Sequence, residues 1–138
     1  MMNQKKIIGL GFISYAIATI IVLISSYVLH VLMPEHEDWE LFSFNLFGSI
    51  TLFAASIVLL AISSFILKNI KLSKVLFLII LIVLLEISSI AIAGNSIILT
   101  IFTTMAKDNN WIMIAYPIAV VLGYLISMRI INIKPKAN

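Results

Sequence analysis

The sequence predicts an all-α integral membrane protein, a bundle of four transmembrane helices with both termini on the cytoplasmic side. Three observations predict it. Of 138 residues, 62% are hydrophobic and 11% charged, against roughly 45–50% and about 25% in soluble domains. The apolar residues gather in four long runs, and a helix needs about 20 such residues to cross a hydrocarbon core ~30 Å thick. Finally, of the nine Lys and Arg residues only Lys107 falls on the outer face once those runs are drawn as crossings. Lys5, Lys6, Lys68, Lys71, Lys74, Arg129, Lys134 and Lys136 share the inner face, while Glu35, Glu37, Asp38, Glu40 and Asp108 collect outside. Basic residues in short loops favour the cytoplasmic side.

The first crossing is expected at about 7–33. Lys5-Lys6 precedes it, but its apolar run is far longer than the roughly 7–15 residues of a signal-peptide core, so it reads as a retained crossing. Pro34 and the acidic stretch Glu35-His36-Glu37-Asp38 make an outer turn. A second crossing is expected at about 41–67, with Trp39 at the outer interface where indoles prefer to sit. Lys68-Asn69-Ile70-Lys71 turns the chain inside.

The third crossing is irregular. From Val75 to Ala106 no basic residue intervenes, and one straight helix of that length would run roughly 48 Å, more than tilt accommodates. Gly94-Asn95 is the natural interruption, since both residues tolerate the left-handed conformation that ends helices. The spanning part is therefore placed at about 75–94. An extension to 105 is left open as a continued, kinked or interface-lying segment. The fourth crossing is expected at about 111–133, opened by Trp111 and carrying Pro117 near its outer end. The whole chain forms a single membrane domain, and any chemistry lies in or beside the bilayer.

Composition excludes several function classes. There is no cysteine, which removes disulfides, thiolate catalysis, iron–sulfur clusters and cysteine-type zinc sites. The +3 net charge follows from topology and anionic headgroups, each Lys or Arg near the surface contributing about 1 kcal/mol. No nucleic-acid motif accompanies it. No cofactor is expected. His30 and His36, near the acidic outer turn, are the weak candidates for a metal, but no metal-ligand spacing such as H-E-x-x-H is present.

Glu86 is the candidate intramembrane binding or proton site. It is the only charged side chain well inside a crossing, roughly 18 Å along the helix from Lys74. An ionised carboxylate is costly at that depth, so the sequence predicts a neutral carboxyl facing the bundle interior and donating a hydrogen bond. Ser89 continues the same face one turn on. Small residues mark the helix-packing surfaces. Ala115, Ala119, Gly123 and Ser127 recur every four residues in the last crossing, with Gly11, Ser14, Ala18 and Ser25 in the first. In the second, Asn45, Gly48, Ser56 and Ser63 fall near one face. Such ladders let helix backbones approach closely, where packing replaces the missing hydrophobic driving force.

No catalytic constellation appears, and a lone glutamate cannot serve as both acid and base. The expectation is a non-enzymatic multi-pass protein of a bacterial-type plasma (inner) membrane. Its partners would be the lipid bilayer and another membrane protein or further copies of itself, and not nucleic acid. It would act by helix–helix binding as an accessory or protective partner of another membrane component. The alternative is a small oligomeric proton- or cation-coupled transporter centred on Glu86.

Overall fold

The computed structural model describes residues 4–33, 39–108 and 112–132, with the backbone alone for 104–108 and 132. Among these residues the chain is all-helical. Its elements are α1 (Gln4–Leu32), α2 (Trp39–Leu67), α3 (Lys74–Ala93), α4 (Ile97–Asp108) and α5 (Ile112–Asn132). Four of them, α1, α2, α3 and α5, are long and apolar enough to cross a membrane. The outer turn 34–38 with His36, the residues 109–111 with Trp111, and the tail from 133 lie outside the described residues.

Helix ends follow local chemistry. Ser73, extended at φ −76°, caps α3 by accepting from the Leu76 backbone N–H, as short hydroxyl side chains do at helix starts. At the other end Gly94 takes φ 71° and its N–H returns to the Ile90 carbonyl, the left-handed stop that glycine adopts without a Cβ penalty. Inside α5, Pro117 lacks the N–H that would reach the carbonyl of Met113.

The interior is apolar but stitched with hydroxyl groups. Tyr15, Phe53, Leu60, Phe77, Leu81, Leu85 and Val120 are fully buried, and the Tyr15, Phe53 and Tyr116 rings form a relay about 6 Å apart linking α1, α2 and α5. Ser14 and Ser127 share a hydrogen bond of 2.8 Å between α1 and α5. Ser49 meets the Tyr116 hydroxyl at 2.8 Å, and Ser56 donates to Ser88 at 3.0 Å. The Tyr15 hydroxyl donates to the Leu81 carbonyl at 2.6 Å. Such bonds between membrane helices contribute about 0.6–2 kcal/mol each.

These contacts also fix the order of the ends. Gln4, at the start of α1, donates to Ser64 near the end of α2. Tyr124, late in α5, donates to the carbonyl of Lys74 at the start of α3. The two pairs are antiparallel, and the short 68–73 segment joins α2 to α3 at the same level. Lys5, Lys6, Lys68, Lys71, Lys74 and Arg129 therefore gather at one end of the bundle, with Glu40 at the opposite end. The charge asymmetry of the sequence is thus a three-dimensional property of the fold.

Candidate functional site

Glu86 lies on α3 two turns before its end and is half-buried. Its partners come from the chain that follows its own helix. The Ser96 hydroxyl donates to Oε2 at 2.7 Å, and the Ile98 backbone N–H donates to Oε1 at 3.0 Å. Ser96 in turn accepts from the Leu99 N–H at 3.1 Å. A carboxylate and a serine together thus satisfy two of the orphan N–H groups in the first turn of α4. These acceptor oxygens also lie at the positive end of that helix dipole.

This arrangement requires the chain to reverse. From Glu86 to Ala93, α3 advances roughly 10 Å, and only Gly94 and Asn95 separate Ala93 from Ser96. Those few residues can do little more than retrace that distance. The left-handed turn at Gly94 therefore sends the backbone back beside α3, and α4 begins alongside the last turns of that helix. Ser89 supports the turn by donating to the Asn95 carbonyl at 2.7 Å. One face of α4 enters the core through Ile97 and Ile101, while Phe102 is 81% exposed. The interruption read at Gly94-Asn95 is the boundary between α3 and a separate short helix, α4.

The geometry pairs Glu86 with the segment that follows its own helix rather than with another long helix. Both oxygens accept, and the partners belong to α4 and the turn before it. The sequence signal for the true partner was legible in principle, since a serine immediately before an apolar run is a helix-start pattern. It was not legible that Glu86, ten residues earlier, would reach it.

Of the small-residue candidates, the structure brings those of α1 and α5 together. Ser14 and Ala18 on α1 face Ser127, Gly123 and Ala119 on α5, all of them buried. A Cβ built on Gly123 would meet the Ser14 backbone carbonyl, and would lie 3.2 Å from the Ala18 backbone N. This is backbone-on-backbone contact. Gly11 packs under Leu60 and Leu81, and Ala115 is partly buried against the core. Gly48 is a correction: a Cβ there would meet nothing within 4 Å. The buried face of α2 instead runs through Asn45, Ser49, Leu52, Phe53, Ser56, Leu60 and Ser64. Ser26 rather than Ser25 continues the buried stripe of α1.

The His30 ring stacks on Phe42 at 5.2 Å and lies 4.8 Å from Trp39, at the end of the bundle away from the lysines. Among the described residues no three His, Cys, Asp or Glu side chains come together in a metal-binding group. His36 lies outside those residues. Comparison with protein-family models, with curated proteins and with solved structures finds no match to this chain.

Proposed function

We propose that the chain is a non-enzymatic multi-pass protein of a bacterial-type plasma membrane, with both termini cytoplasmic. It acts by helix–helix binding as an accessory or protective partner of another membrane component. One observation supports this reading above the rest. Among the described residues, no buried side-chain nitrogen or oxygen lacks a hydrogen bond, and the one acidic side chain inside a crossing holds α4 in place. Polar groups of the interior join helices to one another, so recognition falls to the outward surface. That surface includes large apolar side chains such as Phe47 and Phe102.

The test is photocrosslinking in native membranes. A benzoylphenylalanine placed at Phe47 or Phe102 should give one discrete adduct of constant size, held at a fixed ratio to this chain through purification. Crosslinks to lipid only, from both positions, would contradict the proposal.

A second reading is favoured by where Glu86 sits. Interrupted helices line ion and substrate sites in many membrane transporters, and Glu86 stands at such an interruption, beside Ser89 and half-buried rather than sealed. In a transporter centred on it, protonating the carboxylate would release α4. Proteoliposomes carrying the purified protein would then show proton flux that Glu86→Gln abolishes. In the accessory reading, wild type and variant are both silent.

A further inference from the structure

We infer that the cleft between the start of α3 and the end of α5 is a binding site for one anionic phospholipid, its phosphodiester held by Lys74 and Arg129. The inference rests on the reading that the chain lies in a bilayer, and it is independent of whether Glu86 is structural or transports. A groove of about 990 Å³ lies between the two helices here. Its walls are aliphatic, formed by Leu78 of α3 and Leu122, Leu125 and Met128 of α5. Its rim carries two cations, Lys74 and Arg129, and no acidic side chain lines it.

The geometry matches an amphiphile better than a free anion. Lys74 opens α3 and Arg129 lies in the last turn of α5, so both charges stand at the basic end of the bundle, at headgroup level. From Arg129 the groove follows α5 back to Leu122, a distance of roughly 10 Å, toward the middle of the bundle. A ligand that fills it carries negative charge at one end and an apolar chain below. Tyr124 closes the floor, its hydroxyl already donating to the Lys74 carbonyl at 2.9 Å, which holds the two walls at fixed separation. The start of α3 adds the partial positive charge of a helix N-terminus on the same side. Basic pockets between helices on the cytoplasmic side are where anionic headgroups bind.

The site differs from general attraction to a charged surface. Lys5 and Lys68 stand at the same end of the bundle but do not line the groove. Their removal lowers surface attraction without touching the pocket, which gives the proposal its control.

The experiment is native mass spectrometry of the detergent-purified protein titrated with phosphatidylglycerol or phosphatidylcholine. The expected result is one tightly bound phosphatidylglycerol per chain. Its preference over phosphatidylcholine should be roughly thirtyfold, as two cations near a headgroup would give. Lys74→Gln with Arg129→Gln should remove most of that preference, whereas Lys5→Gln with Lys68→Gln should keep it. Leu122→Trp, which fills the groove, should weaken binding of both lipids, and millimolar inorganic phosphate should displace neither. Equal affinity for the two lipids, equal loss in both double variants, or displacement by phosphate would each overturn the site. So would a two-chain species that binds no lipid, since a second copy would then occupy the groove.

Discussion

Gly123→Leu should dismantle the bundle, whereas Val121→Leu should leave it nearly unchanged. The Gly123 position faces the backbone of Ser14 and Ala18 on α1, and backbone cannot swing aside as a side chain does. Helices α1 and α5 would have to separate, which also breaks the Ser14–Ser127 bond one turn away and opens a gap around Ala119. Overpacking in a core costs about 1–3 kcal/mol, and here the loss of close van der Waals contact along the interface adds to it. Val121, two residues earlier, is only partly buried, so one more carbon there is tolerated. Thermal unfolding in detergent, read by loss of the monodisperse peak, checks the pair. Equal melting temperatures would mean that the α1–α5 contact contributes nothing to stability.

The second large effect is expected at Glu86. Glu86→Ala removes the acceptor for the Ile98 N–H and the partner of the Ser96 hydroxyl. Losing a helix cap costs about 0.5–2 kcal/mol, concentrated on α4 and the 94–96 turn, so that segment should open while the four long helices stay packed. Glu86→Gln keeps an acceptor oxygen for the Ile98 N–H, so the cap is weakened less. Amide hydrogen exchange resolves this. Protection of Ile98 and Leu99 should fall markedly in the alanine variant and slightly in the glutamine one, with the middle of α1 unchanged. Uniform exchange across α4 in all three proteins would show that the cap does not hold the helix.

The four long helices were legible because their signal is compositional. Runs of apolar residues bounded by Lys and Pro need no knowledge of what packs on what. The stop at Gly94-Asn95 was legible for a related reason, since few residues besides glycine take a positive φ at low cost. Facing was harder to read. In α1 and α5 the glycine and alanine positions identify the contact, because small residues have few other uses at four-residue spacing. In α2 the hydrophobic pattern is nearly uniform around the helix, so Gly48 looked like part of a stripe that in fact runs through Asn45, Ser49 and Ser56. Membrane-type helices lose the polar–apolar contrast that betrays the buried side in water-soluble ones.

Glu86 illustrates the same limit at the level of the site. Sequence position placed it inside the third crossing, and the cost of a buried charge gave it a neutral, donating role. The reversal at Gly94 delivers α4's own N–H groups to its carboxyl group. Tertiary folding over ten residues supplied partners that linear reasoning looked for on other helices. The tyrosine hydroxyls that bind the carbonyls of Leu81 and Lys74 were missed too, because an acceptor carbonyl leaves no mark in the sequence. Lys74 and Arg129 were each visible as part of the basic asymmetry, yet only the antiparallel pairing of α3 with α5 places them on one groove.

The central claim is a bundle that crosses the membrane four times with its lysine-rich end in the cytoplasm, and the absence of native cysteine makes it directly measurable. Single cysteines at Glu40 and at Lys68, both exposed and at opposite ends of α2, can be treated on intact cells with a membrane-impermeant maleimide. Glu40→Cys should label at once, and Lys68→Cys only after permeabilisation. Labelling of Lys68→Cys on intact cells with protection of Glu40→Cys would invert the protein, and labelling of both would contradict the crossing of α2 altogether.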